Sequence, residues 1–138
     1  MQHEITLGLS IQRRILVDSS RVIPFMGPEG QVYATPAMIN DIEYACRDMI
    51  VERLAPGQDS VGVHIAVDHL SATPLNFEVE ISVTVVAVDG QRVTCQAEVR
   101  DALDLVGRGE HTRFIVDVER TRLRLQRKKD ELQTMSGE

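Results

Sequence analysis

Residues 32–54, VYATPAMINDIEYACRDMIVERL, decide the fold. At 100° per residue their apolar side chains gather on one face of a helix and most polar ones on the opposite face. Thr35 is a good N-cap and Pro36 suits the first helical position, so we expect the helix to begin there. It should end near Leu54, before Ala-Pro-Gly. The apolar face holds Ile39, Ile42, Cys46, Met49 and Ile50, flanked by Met38 and Ala45.

One acidic residue does not fit this helix. Glu43 lies within the apolar arc, at an angle between those of Ile50 and Leu54. A carboxylate in such a place is costly unless something uses it. Glu43 is therefore the first candidate for a functional residue.

Alternating apolar residues predict strands on both sides of the helix. A long first strand is expected from Ile5 to Val17, with one polar interruption at Arg13. Four more strands in an antiparallel meander are expected around residues 61–69, 77–87, 93–99 and 114–118, with a hairpin at Asp89-Gly90 and a short final helix over 119–133. This order predicts an α+β fold, in which a curved antiparallel sheet wraps one long helix within a single domain of residues 1–138. Because that helix is so apolar, we expect a homodimer, or a pair of such dimers.

Composition excludes several classes of protein. The formal charge of −6 argues against nucleic acid as the main ligand, and no apolar run is long enough to span a membrane. Cys46 and Cys95 lie in apolar segments without metal-ligand spacing, which indicates buried free thiols in a reducing compartment. No signal peptide is visible, so a cytoplasmic protein is expected.

Three polar residues are predicted to share the interface between helix and sheet. His69 continues the parity of a valine and isoleucine strand face, while Thr35 and Glu43 lie about 12 Å apart along the helix. Each has an ordinary explanation, namely a helix cap, a core histidine and a salt-bridged acid. Two titratable groups set against their own apolar patterns nevertheless favour an active site. His64, with opposite parity, and His111 are weaker candidates, and no metal or cofactor is expected.

The stretches VYATPAMINDIEYAC, GVHIAVDHLSATP and VGRGEHTRF resemble the hotdog-fold acyl-CoA thioesterases, particularly the fluoroacetyl-CoA thioesterase-like branch. The resemblance implies a hotdog fold, in which two subunits join their sheets and active sites lie at the dimer interface. It also implies roles for five residues. Thr35, Glu43 and His69 would be catalytic, Gly62 would line the site, Arg113 would lie near bound acyl-CoA, and Tyr33 is a further candidate for substrate binding.

One segment departs from that family. Its fluoroacetyl-specific members carry a phenylalanine gate before the threonine, whereas residues 27–31 here are GPEGQ, and the nearest rings are Phe25 and Tyr33. The expectation is therefore hydrolysis of a short or medium acyl-CoA, with fluoroacetyl-CoA itself in question. Two alternatives stay open: a hotdog hydratase or dehydratase, and a module that binds acyl-CoA or another small ligand without catalysis.

Overall fold

The computed structural model describes residues 3–137 and shows one antiparallel sheet around a central helix. The expected α+β architecture is confirmed. The predicted domain of residues 1–138 includes Met1, Gln2 and Glu138, which lie outside the described residues, and it stays a prediction. The elements are β1 (Ser10–Leu16), α1 (Thr35–Val51), β2 (Gln58–His69), β3 (Glu78–Asp89), β4 (Arg92–Arg100), β5 (Leu105–Asp117) and α2 (Val118–Met135).

The strand order is β1-β3-β4-β5-β2, which differs from the predicted four-strand meander. The last three strands do form a meander, and Gly90 has the positive φ of 60° that its tight turn requires. The chain between His69 and Glu78 contains no two-residue turn, and it crosses the fold instead. As a result β2 pairs with β5, and β1 and β2 are the two edge strands.

A bulge in β2 reverses which side chains face the helix. The pairing with β5 shifts between Gly62 and His64, so one residue is inserted without a partner. Val61 and Val63, which we expected on the inner face, are 42% and 47% exposed. Beyond the bulge the predicted parity holds, and His69 is partly buried. The bulge therefore turns both Gly62 and His69 toward α1.

The core lies between one face of α1 and the inner face of the sheet. Cys46 and Cys95 are buried free cysteines within it, as predicted. The close contact of β5 with β2 explains one glycine, because a Cβ on Gly109 would lie 2.1 Å from the carbonyl oxygen of Ala66. The buried apolar residues of α1 are Met38, Ile42, Ala45, Cys46, Met49 and Ile50, and those of β3 and β4 are Val79, Ile81, Val83, Val85, Val93, Cys95, Ala97 and Val99.

The start of α1 differs from the prediction. Ala34 is the N-cap, and Thr35 is already the first helical residue, followed by Pro36. No side chain caps this end of the helix. The Thr35 hydroxyl therefore does not serve the capping role that its position in the sequence suggested.

Both ends of the chain also differ from expectation. Gly8, with φ of 89°, lies in a turn that precedes β1, so this strand is seven residues long and starts at Ser10 rather than near Ile5. The polar interruption at Arg13 is explained by its ion pair with Asp48 of α1 at 3.0 Å. At the other end α2 is 18 residues long and buries no side chain. None of the described helices is both long and apolar enough to cross a membrane.

Candidate active site

Thr35 and His69 form the first part of the candidate site. Oγ1 of Thr35 lies 2.7 Å from Nδ1 of His69, a hydrogen bond whose donor depends on the imidazole tautomer. The other ring nitrogen, Nε2, is buried and makes no well-aligned hydrogen bond within the described residues, where the Ser71 backbone is a further polar contact of the ring. Burial lowers the pKa of His69, so the imidazole is neutral at pH 7. Both residues line a cavity of about 450 Å³, which Phe25 and Met26 also border.

Tyr33 packs against the ring of His69. Its side chain is only 1% exposed, and its hydroxyl donates to the buried carboxylate of Asp41, which Arg21 also binds at 3.0 Å. The ring meets His69 edge to face, with 6.3 Å between centroids. Tyr33 lines the same cavity. A substrate contact for Tyr33 stays a prediction, since most of its surface is already used within the protein.

Glu43 belongs to a second part of the site, on α1 two turns further along. Its side chain is 37% exposed and accepts no hydrogen bond from any residue between 3 and 137. Its Oε1 lies 3.9 Å from Nε2 of His111. A Cβ on Gly62 would lie 2.9 Å from that same Oε1 and 3.0 Å from Cε1 of His111, so the carboxylate sits directly over a glycine. Glu43 and Gly62 line a cavity of about 660 Å³.

Arg113 is held rigidly at the same cavity. Its Nε donates to Oγ of Ser60 and one terminal nitrogen donates to the Ser60 carbonyl, both at 2.7 Å. The other terminal nitrogen, Nη1, lies 3.1 Å from Nε2 of His111. Nδ1 of His111 lies 2.8 Å from the carbonyl oxygen of His64. Burial lowers the pKa of His111, and the Arg113 charge lowers it further.

A separate ion pair completes the polar wall of this cavity. Arg47 of α1 donates to Asp59 of β2 at 2.6 Å, and both residues line the cavity. The hydrogen bond from Arg47 lowers the pKa of Asp59, which therefore stays ionised at neutral pH. In this cavity the guanidinium groups of Arg47 and Arg113 are hydrogen-bonded, whereas the carboxylate of Glu43 accepts no hydrogen bond from the described residues.

The structure brings the predicted residues together in two groups rather than one. Thr35 contacts His69, and Glu43 lies with Gly62 and Arg113. No hydrogen bond or ion pair links Glu43 to Thr35 or His69 in the described part of the chain, and the two groups line different cavities. The expectation that all three share one place at the helix–sheet interface is therefore not met within one chain.

Sequence reasoning missed His111, which is fully buried against Glu43. We expected Phe114, Val116 and Val118 to form the inner face of the fifth strand, but Phe114 is 37% exposed and Ile115 is buried instead. The alternation of His111, Arg113 and Ile115 was the signal that could have revealed it, since strand parity places these three on one face.

Comparison with known proteins identifies the family. Residues 17–119 match the family of the fluoroacetyl-CoA-specific thioesterase. The fluoroacetyl-CoA thioesterase of Streptantibioticus cattleyicolor is 31% identical over 135 residues, which cover 93% of this chain and 97% of that relative. The chain belongs to this family. Membership in the fluoroacetyl-CoA-specific thioesterase family confirms the resemblance noted in the sequence and the expected enzyme class, a thioester hydrolase.

Solved structures agree with this assignment. A mutant of the fluoroacetyl-CoA-specific thioesterase FlK, in complex with fluoroacetate and CoA, superposes with a TM-score of 0.78 and 27% identity over 85% of this chain and 99% of that one. A hot-dog-like protein from Thermanaerovibrio acidaminovorans has a TM-score of 0.83 and 23% identity over 88% and 91% of the two chains. The predicted hotdog fold is confirmed.

Proposed function

We propose that this protein hydrolyses a short or medium acyl-CoA thioester to the free acid and CoA. The observation that carries the proposal is the Glu43 carboxylate, which faces a cavity of about 660 Å³ and receives no hydrogen bond from the part of the chain that the structure describes. Such a carboxylate can attack the thioester carbonyl or remove a proton from an attacking water. Both routes suit a substrate whose leaving group is a thiolate. The carboxylate is placed over Gly62, where a side chain would block approach to it.

His69 and Thr35 would complete the chemistry. A neutral imidazole with an unpaired buried nitrogen can orient a water or give a proton to the departing sulfur. The Thr35 hydroxyl fixes the imidazole through the hydrogen bond at 2.7 Å. The helix start beside Thr35 has no side-chain cap, so its first N–H groups and the positive end of the helix dipole are available to a developing oxyanion.

The proposal includes a homodimer, because one chain holds the two groups of residues in separate cavities. The edge strand β2 carries both Gly62 and His69, and pairing with a second copy would extend the sheet. In a two-fold dimer the two β2 strands run antiparallel, so the first half of one strand lies beside the second half of the other. Glu43 of one subunit would then approach Thr35 and His69 of its partner.

We propose no special preference for fluoroacetyl among short acyl groups. Phe25 is 77% exposed, and residues 27–31 carry no aromatic ring that could close over a small acyl chain at Thr35. The two buried free cysteines suit a reducing environment, which is our ground for proposing the cytoplasm. The expected partners are acyl-CoA and a second copy of the chain.

The exposed helix α2 is a candidate for binding the phosphates of CoA. Residues 120–129, RTRLRLQRKK, carry six basic side chains, and none is buried. Deletion of the chain after Val118 should raise KM for acyl-CoA and remove most of the dependence of KM on salt. If KM and its salt dependence are unchanged, α2 is only a solvated helix.

A panel of acyl-CoAs of different chain length, including fluoroacetyl and aryl examples, tests the proposed activity through release of free thiol. Glu43→Gln should reduce kcat by about a thousandfold or more on every accepted substrate, since the amide can neither attack nor accept a proton. Glu110→Gln is the matched control, because Glu110 lies on an exposed position of β5 and should leave kcat unchanged. Full activity of Glu43→Gln would exclude the mechanism. Tight binding of acyl-CoA without thiol release would exclude the enzyme.

A further inference from the structure

The arginine and the carboxylate at this cavity are neighbours that do not pair. A guanidinium and a carboxylate normally form two parallel hydrogen bonds when they can reach each other. Here Nη1 of Arg113 donates to Nε2 of His111 at 3.1 Å, and Oε1 of Glu43 lies 3.9 Å from the same imidazole nitrogen. Nε2 of His111 therefore contacts the guanidinium and lies close to the carboxylate.

The hydrogen bonds determine the protonation of His111. Arginine can only donate, so Nε2 must offer its lone pair to Arg113. The backbone carbonyl of His64 can only accept, so Nδ1 must carry the proton. The ring is consequently neutral, in the tautomer protonated at Nδ1. Its complete burial and the adjacent positive charge both favour this state.

We propose that His111 is a positioning residue, which accepts the Arg113 N–H that would otherwise pair with Glu43 and so keeps that carboxylate turned toward the cavity. The inference rests on the proposed function, in which Glu43 is the reacting group. Its physical basis is that two hydrogen bonds to Ser60 and one to His111 fix the position of the guanidinium, so Nη1 would have to leave His111 to pair with Glu43. A carboxylate locked in an ion pair with arginine is a weaker nucleophile and a weaker base than one that is unpaired.

The other charges around Glu43 leave Arg113 as the cation that matters. Arg47, on the same helix, is held by Asp59 at 2.6 Å and by Asp48 at 3.3 Å. The buried thiol of Cys46 is the remaining titratable group close to both Glu43 and Arg113. Because Arg47 already has two carboxylate partners, Arg113 is the cation that would pair with Glu43 if His111 did not hold it.

Two substitutions separate the two hydrogen bonds of His111. In His111→Gln the amide oxygen can stand where Nε2 was and accept from Arg113. In His111→Asn the shorter amide can replace the Nδ1 donor to the His64 carbonyl but offers Arg113 no acceptor. We expect His111→Asn to lower kcat by about ten- to a hundredfold with little change in KM, and His111→Gln to stay within about threefold of wild type. The acidic limb of the pH–rate profile should move to lower pH in His111→Asn alone.

Two measurements test the inference without using activity. The imidazole ¹⁵N spectrum of the wild-type protein should show His111 neutral and protonated at Nδ1 between pH 6 and 8 (roughly, given its lowered pKa). Crystal structures should show Arg113 bonded to Glu43 in His111→Asn and separate from it in His111→Gln. Protonation at Nε2, or an unpaired Glu43 in both variants, would overturn the inference even if thioesterase activity is found. If the wild type releases no thiol from any acyl-CoA while the spectrum and the crystal structures agree with the inference, the proposed function is overturned instead. If His111→Asn does not fold, the spectrum and the His111→Gln structure decide the matter.

Discussion

Two inactive variants should form active mixed dimers when their subunits are exchanged. The perturbations are Glu43→Gln and His69→Ala, which remove one residue from each of the two groups described above. In the proposed dimer each site takes Glu43 from one subunit and His69 from the other. A mixed dimer then contains one site with both substitutions and one site with neither.

The size of the recovery follows from this arrangement. Free exchange of equal amounts makes half of the dimers mixed, and half of the sites in a mixed dimer are intact, so activity per subunit should return to about a quarter of the wild-type value. The structural ground is that Glu43 and His69 line separate cavities, of about 660 and 450 Å³, in one chain. If both residues served one site within a single subunit, every site in the mixture would carry a substitution.

Thiol release is measured after the two proteins are unfolded in urea together and refolded, with each variant refolded alone as the baseline. Thr35→Val mixed with His69→Ala is the matched control. These two residues contact each other within one subunit, so no mixed dimer gains an intact site. Recovery in the control, or none in the pair Glu43→Gln and His69→Ala, would refute the shared site.

Three further predictions follow from the same contacts. Thr35→Val should lower kcat by about tenfold or more and Thr35→Ser only a few-fold, with melting temperatures unchanged, because the hydroxyl holds His69 and does not cap α1. Gly62→Ala should lower kcat at some loss of stability, since the new methyl group would lie 2.9 Å from Oε1 of Glu43 and 3.0 Å from Cε1 of the buried His111. Burial lowers the pKa of both His69 and His111, so the unfolded chain binds protons at higher pH than the native one. The free energy of unfolding in urea should therefore fall as pH drops below about 6.5, by at most about 1.4 kcal/mol per pH unit for one group, and the slope should be smaller in His111→Gln.

Alternation of apolar residues was sufficient to locate the strands but not to orient all of their side chains. Periodicity carries no signal for an inserted residue, so the bulge beside Gly62 could not be foreseen, and Val61 and Val63 were assigned to the wrong face. Parity in the last strand was taken from Phe114, a large apolar residue that is 37% exposed. That choice turned His111 away from the helix and hid its part in the site.

The topology was predictable only in part for a related reason. A two-residue turn such as Gly90-Gln91 determines that two strands pair, because its backbone conformation suits a tight hairpin. The longer connection from β2 to β3 imposes no such pairing, and β2 pairs with β5 through contacts remote in sequence. One glycine in that pairing, Gly109, could be explained only with both strands in place.

Helix α1 carries two acids beside its apolar residues, Asp41 and Glu43, and they illustrate how a functional carboxylate is recognised. Asp41 is the more buried of the two, but Arg21 and Tyr33 supply it with donors, so its burial is satisfied and its role is structural. Glu43 is more exposed, and no described residue donates to it. An unfavourable position in the sequence therefore identifies candidates for both roles, and the supply of hydrogen-bond donors separates them. By this criterion a variant that gives Glu43 a donor should lower activity even though the charge of Glu43 is kept, and His111→Asn, with an expected loss in kcat of about ten- to a hundredfold, is that variant.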